Sequence, residues 1–315
     1  MRRLVGLAIS LAIIAVLWWR IDLRAILAAA RGCDPVWLAL GLAAVVPLTL
    51  ATAWRFALLV RPAIGLSTAT RLILSASTLN LILPSKMGDL TKAWVLTRRH
   101  GFDGSFALAI VIIEKLLDLA SLLVWGVAAL LWIGALTRPL LSLALAATAL
   151  LLALLLAILS PSPSVARLLA GLTHRLPHGI GQRVAGFGGR WSDAVGWFWR
   201  DRARAGRLVA LSLAIWAGHL AQFWLFVRAL GGAMPFIDNA AFATLAILIG
   251  LLPFTLAGIG TRDAAIVLLY AGWLRPGQAA VLGVLATSRY LIPALAGLPF
   301  IRDYWAERAR GDATT

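Results

Sequence analysis

Residues 83–94 read LPSKMGDLTKAW, and residues 252–265 read LPFTLAGIGTRDAA. Each stretch runs Leu-Pro, then glycine, then a threonine followed by a cation: Thr91-Lys92 in the first, Thr261-Arg262 in the second. Each also keeps an acid beside that core, Asp89 or Asp263, and each is set in apolar sequence. Proline inside a helix removes a hydrogen bond and collides with the preceding turn, and glycine nearby lets the chain reverse at little cost. The doubled phrase therefore predicts two broken helical hairpins, one over 72–97 (interrupted at Pro84 and Gly88) and one over 239–274 (interrupted at Pro253, Gly258 and Gly260). Non-helical backbone is tolerated at membrane depth only where protein buries it or a wet cavity lies beside it.

The rest of the chain supports a membrane setting. Of 315 residues, 61% are hydrophobic and 13% charged, with a mean hydropathy of +0.90, too little polar surface to clothe a soluble domain. Apolar segments near 4–19, 36–60, 105–136, 139–159, 207–230 and 278–300 approach or exceed the ~20 residues that cross a bilayer as a helix. The expected fold is an all-α polytopic membrane protein, about six transmembrane helices with two re-entrant hairpins. Met1-Arg2-Arg3 and the apolar run after it are built like a signal peptide, but Trp18-Trp19-Arg20 stands where a small-residue cleavage site belongs. A retained first helix with interfacial tryptophans is expected.

Several functions are excluded. The single cysteine, Cys33, rules out an intrachain disulfide and a multi-cysteine metal site, and reads as a small apolar filler. His174 and His178 are four apart, but Pro177 breaks the turn between them and no acid accompanies them. There is no nucleotide-binding loop, no HExxH and no Ser–His–acid arrangement, so no cofactor or metal is expected. The net charge of +16 comes with no nucleic-acid motif, and anionic lipid headgroups are its expected partners.

Charge asymmetry sets the expected topology. With a cytoplasmic N-terminus and six crossings, 20 Lys and Arg fall on the cytoplasmic side, including the 55–71 and 86–99 clusters, against seven outside. A bacterial inner-membrane protein with both termini cytoplasmic follows. The first hairpin then enters from the cytoplasm and the second from outside, and Lys115 and Arg289 follow Pro84 and Pro253 by 31 and 36 residues. This is the pattern of inverted repeats in one membrane domain over 1–315. The first repeat covers about 1–159 and the second about 207–300, with a cytoplasmic linker at 160–206 and a tail at 301–315. The linker, with Trp191, Trp197, Phe198 and Trp199 beside arginines, reads as an amphipathic helix on anionic lipid or as a docking surface.

The candidate site residues sit at the breaks and in the helices after them. Lys86, Gly88, Asp89 and Lys92 place cations beside a half-helix start, which suits a phosphate, and Gly258, Gly260, Thr261, Arg262 and Asp263 form the corresponding nest. The plainer reading of Lys86 is a basic loop end. Glu114, Lys115 and Asp118 lie in IVIIEKLLDLASLL, with the two carboxylates on one helix face and Lys115 three residues before Asp118. That cluster is either a headgroup, proton or counter-ion site, or an ion-pair lock between helices. Arg289 is the matching intramembrane cation of the second half. His219 and Gln222 share a face of segment 207–230, where a helix–helix hydrogen bond is the simpler role.

Three blocks, NLILPSKMGDLTKAWVLTRRHG, VIIEKLLDLASL and LLPFTLAGIGTRDAAIVLL, resemble in order and spacing the signature blocks of the flippase-like membrane domain of lysylphosphatidylglycerol synthases. The resemblance covers nearly the whole chain. It implies two inverted repeats with re-entrant helices, lipid movement between leaflets, and roles for Pro84, Gly88, Asp89, Lys92, Glu114, Lys115, Asp118, Pro253, Gly258, Gly260, Arg262 and Asp263. Asp89 and Asp263 stand where that family usually has glutamate, and Lys115 where it usually has arginine. The chain ends at Thr315 with no synthetase domain, so aminoacylation is not expected of it.

The function expected is translocation of a lipid with a polar or phosphate headgroup, and not catalysis. Two alternatives stay open. One is a membrane-embedded glycosyl- or acyl-transfer enzyme using a lipid-phosphate donor, with Asp89 or Glu114 as base. The other is a non-catalytic subunit that docks a glycosyltransferase or other lipid-modifying enzyme through 160–206.

Overall fold

Helix formation stops where the first doubled phrase begins. The computed structural model describes residues 23–82, 84–161, 167, 171, 178–251 and 260–311. In it α1 spans Leu23–Arg31, α2 Pro35–Ala43, α3 Val45–Leu59 and α4 Leu66–Ile82. A 3-10 turn over Pro84–Asp89 leads into α5, Leu90–His100. Gly101 ends α5 at φ 68°, a left-handed conformation that glycine adopts without strain. Then come α6, Gly104–Trp132; α7, Pro139–Leu159; α8, His178–Arg200; α9, Arg202–Ala229; α10, Phe236–Leu251; α11, Thr261–Leu269; and α12, Pro276–Gly311. Pro253 and Gly258 lie outside the described residues.

This is an all-α polytopic membrane fold. Among the described residues four stretches are long and apolar enough to cross a bilayer: Pro35–Leu59, Pro139–Leu159, Arg202–Ala229 and Pro276–Ile301. α6 is 29 residues long, about 43 Å at 1.5 Å per residue, and lies inside a sheath of α5, α7, α8, α9 and α10. The expected segment 36–60 is seen as α2 and α3, joined at Ala44; 105–136, 139–159, 207–230 and 278–300 correspond to α6, α7, α9 and α12. The segment 4–19 lies outside the described residues. α1 falls between the expected segments 4–19 and 36–60. Its Leu- and Ala-rich run has high helix propensity, and it packs on α12, where Gly277 meets the backbone of Ala25. Asp34 starts α2, its Oδ1 accepting the backbone N–H of Val36 and Trp37 at 2.8 and 3.2 Å, with Pro35 at the first helical position.

Lipid offers no hydrophobic drive for helix association, so close packing needs small residues at the crossings. Gly41 of α2 lies under the Phe226 ring of α9, and Gly126 of α6 under Thr244 of α10. The tightest crossing joins the first broken hairpin to the last helix. A Cβ on Gly297 of α12 would stand 2.1 Å from the carbonyl oxygen of Leu74 in α4. Thr78 Oγ1 of α4 donates to the Ala294 carbonyl at 2.6 Å, one residue after Pro293, whose missing N–H leaves Arg289 O without its helical donor.

α8 turns its apolar stripe, Trp191, Ala194, Val195 and Phe198, into the protein core and against α6, with Arg190 and Asp193 on its exposed face. Trp197 Nε1 donates to Leu59 O at 3.2 Å and Trp199 Nε1 to Leu159 O at 2.7 Å, capping the ends of α3 and α7. The aromatic-rich part of the linker is thus packed against the bundle.

The crossing makes a testable demand. Gly297→Ala should lower thermal stability in detergent, because the added methyl meets backbone that cannot rotate away. Gly196→Ala in α8, with nothing within 4 Å of the new Cβ, should be neutral or stabilising by about 0.4–1 kcal/mol. Equal melting temperatures for the two variants would show that α4 and α12 are not in close contact.

Candidate functional site

The site grows out of the α5–α6 corner. Asp103 caps α6 by accepting the N–H of Phe106 at 3.0 Å, so α6 runs back along α5 and sets Glu114 opposite Lys92. Lys92 Nζ donates to Glu114 Oε2 and Oε1 at 2.8 and 3.1 Å and pairs with Asp89 Oδ1 at 2.9 Å. Lys92 is 1% exposed and Glu114 is 0% exposed. Arg55 of α3 completes the cluster. Its Nη1 donates to Asp118 Oδ1 at 2.6 Å and to Ser212 Oγ of α9 at 3.1 Å, and its Nη2 lies 3.6 Å from Glu114 Oε1. Lys115 Nζ lies 3.3 Å from Asp89 Oδ2 and 3.9 Å from Asp118 Oδ2. Three cations face three carboxylates, so the cluster is neutral as a whole.

Exposure divides it. Arg55, Lys92 and Glu114 are sealed in, whereas the Lys115 side chain is 44% exposed and that of Asp118 23% exposed. The sequence reading aimed Lys92 at an anion and paired Lys115 inside the bundle. In the structure Lys92 points along the α5–α6 contact onto Glu114, while Lys115, one residue after Glu114 and so turned about 100° away from it, keeps Asp118 as a partner at the more exposed edge of the cluster. Arg55 was missed. Sequence counting placed Arg55 and Lys92 among the cytoplasmic loop cations, yet both lie within the helix bundle. The available signal was an arginine inside ATAWRFALLV, an apolar run where a charge requires a partner.

Gly88 fixes the turn. A Cβ there would stand 2.4 Å from Ala76 O and 2.5 Å from Asn80 N, so only glycine lets the turn lie against α4. Asn80 Nδ2 then donates to Asp89 Oδ2 at 3.2 Å. The side chain of Lys86 lies outside the described residues, as does Gly258.

The second break is tied differently. Gly260 takes φ 101°, and its N–H donates to Asp263 Oδ2 at 3.0 Å as α11 begins at Thr261. Arg262, 5% exposed, donates from Nη2 to Asp263 Oδ1 at 2.9 Å, Gly283 O at 3.1 Å and Thr287 Oγ1 at 2.8 Å. Gly250 and Gly283 make room for it on α10 and α12, where a Cβ would meet Arg262 Cβ and Asp263 Oδ1 respectively at 2.8 Å. Like Lys92, Arg262 gives its charge to a neighbouring carboxylate.

The two halves meet at Trp216 of α9. Its Nε1 donates to Asp118 Oδ1 at 3.3 Å, His219 stands edge-on to its ring at 5.5 Å, and the Arg289 guanidinium lies 5.9 Å from its centroid. Gln222 bonds instead across helices, its Nε2 donating to Gly41 O at 2.8 Å. A polar track thus runs from Asp89 through Lys115, Asp118 and Trp216, with His219 beside the Trp216 ring, to Arg289.

An all-α membrane bundle with charge buried beside the Pro84–Asp89 turn and at the start of α11 defines the class. Residues 3–297 match the family described as the lysylphosphatidylglycerol synthase TM region, and the chain belongs to that family. No curated protein matches it.

Stability should separate the sealed and open cations. Lys92→Met strands the buried Glu114 with only the 3.6 Å Arg55 contact, and should cost about 3–5 kcal/mol. Lys115→Met removes an exposed partner and should cost no more than about 1 kcal/mol. Chemical unfolding of the purified variants in detergent checks the order; a larger loss for Lys115→Met would contradict it.

Proposed function

We propose that this protein moves a lipid bearing a phosphate headgroup between membrane leaflets, with the headgroup passing along the polar track while the lipid chains stay in the bilayer. The observation that carries this reading is the open edge of a neutral charge cluster, Lys115 and Asp118, continuous through Trp216 with Arg289 on the far helix. A neutral cluster offers hydrogen bonds to a zwitterionic or anionic headgroup without trapping it by net charge.

Helix lengths support re-entry. α5 and α11 have 11 and 9 residues and rise only about 16 and 14 Å, short of the ~30 Å hydrocarbon core. With Arg98, Arg99 and His100 at the membrane surface, the turn at Gly88 lies near mid-depth, level with Lys115 on α6. The second hairpin, entered from the opposite face, brings Gly260 to a similar depth. This is the inverted-repeat geometry in which interrupted helices flank a midplane site. Positive charge concentrated on one side gives the orientation: N-terminus, α8 and C-terminus cytoplasmic in a bacterial inner membrane. Withdrawing Arg55 and Lys92 from the loop count leaves that excess in place.

A transfer enzyme is less well supported. Glu114, one of its two candidate bases, is fully buried against Lys92 and Arg55, and Asp89 already holds Lys92, Lys115 and Asn80.

The test is movement itself. Purified protein in vesicles carrying a headgroup-labelled phosphatidylglycerol should let an impermeant quencher reach label from both leaflets, whereas protein-free vesicles protect the inner half. Lys115→Met should slow exchange about tenfold or more with little loss of stability, since a charge-assisted headgroup contact is worth about 1.5–3 kcal/mol. Equal protection with and without protein would refute the reading.

A further inference from the structure

Arg289 is the one intramembrane cation among the described residues that the protein leaves without a carboxylate. Arg55, Lys92 and Lys115 answer Asp89, Glu114 and Asp118, and Arg262 answers Asp263. Arg289 is only 9% exposed, and its buried Nη1 has no hydrogen-bond partner. Nη2 donates to the Tyr290 hydroxyl, and the guanidinium lies 4.6 Å from the Tyr290 ring centroid and 5.9 Å from that of Trp216. Those rings stabilise a cation through their faces, but they carry no countercharge.

The internal repeat says why the charge is bare. In α6, Lys115 follows Glu114 and precedes Asp118 by three residues. At the same offsets from Arg289 in α12 stand Ser288 and Ile292. The acid of the second hairpin, Asp263, is already held by Arg262 and by the Gly260 N–H. The second half therefore keeps the cation of the first and lacks its acids. Arginine cannot lose its proton to escape the cost of burial, so an unpaired guanidinium at this depth demands an anion from elsewhere.

We propose that Arg289 binds one phosphate monoanion, delivered as the phosphodiester of a lipid headgroup, and so anchors the headgroup at the far end of the polar track; this rests on the lipid-translocation reading above. The planar fork suits two phosphate oxygens, with Nη1 supplying the free donors. Tyr290, 39% exposed, stacks beside the guanidinium and accepts from Nη2, leaving Nη1 as the donor without a protein partner. The bridge through Trp216 to Asp118 puts the headgroup's polar remainder within reach of Lys115.

The experiment uses the full chain in phosphate-free neutral detergent, with melting temperature followed against added phosphatidylglycerol, diacylglycerol or inorganic phosphate. Phosphatidylglycerol should raise the wild-type melting temperature, inorganic phosphate should do so only at much higher concentration, and diacylglycerol should not. Arg289→Gln should raise the midpoint for phosphatidylglycerol about tenfold or more, Arg289→Lys should weaken it less, and Arg228→Gln, at the end of α9, should leave it unchanged. Without lipid, Arg289→Gln should be no less stable than wild type, because it removes an unbalanced charge. A phosphatidylglycerol midpoint unchanged in Arg289→Gln, or an equal response to diacylglycerol, overturns the anchor. A response to inorganic phosphate alone overturns the lipid as the source. The vesicle assay separates the two readings: wild type that moves lipid while Arg289→Gln binds normally refutes only the anchor. Binding through Arg289 without any movement refutes only translocation.

Discussion

Everything in the first half of this bundle is arranged around one buried ion pair, Lys92 to Glu114. Neither group touches solvent, and each would cost several kcal/mol to bury alone. Their pairing fixes the α5–α6 contact. That contact sets the position of the Gly88 turn, and Arg55 then brings α3 to the same place through Glu114 and Asp118. Ser212 and Trp216 draw in α9. A chain of charge-assisted hydrogen bonds thus specifies which helices meet, in a setting where apolar surfaces discriminate poorly because lipid is as apolar as leucine.

Packing completes what the charges specify. Glycines lie at the crossings that tie the first broken hairpin to the last helix and α6 to α10, so each hairpin unit is held by a helix of the other. Thr78 reaching the Ala294 carbonyl lies just past Pro293, where helix α12 has already lost a donor. A long apolar helix interrupted in this way can bend without exposing backbone to lipid.

The two halves use the same phrase to different ends. In the first, the cation after the break closes on a carboxylate of the next long helix. In the second, Arg262 closes on its own neighbour and on neutral groups of α12, leaving Arg289 uncompensated. The two phrases match in outline but not in charge, and the polar path between them has a neutral end and a cationic end.

Much of this was legible beforehand. Hydropathy and the Pro84/Gly88 interruption establish the membrane class and the position of the first break, because an apolar helix and a missing N–H are local properties of the chain. The charged trio in α6 was visible for the same reason, as ionisable residues inside IVIIEKLLDLASLL. Partner choice was not. Whether Lys92 or Lys115 is the sealed cation depends on which face of α5 meets α6, and Arg55 joins the cluster only because α3 packs 63 residues away in sequence from Asp118. Periodicity says which residues share a helix face but not which helix that face will meet. The sequence by itself determined that charges would lie among apolar helices and that the chain would break at Pro84. The tertiary structure decided which charges cancel and which one is left open, because in a low-dielectric interior ion pairing is settled by ångström-scale distances between distant segments.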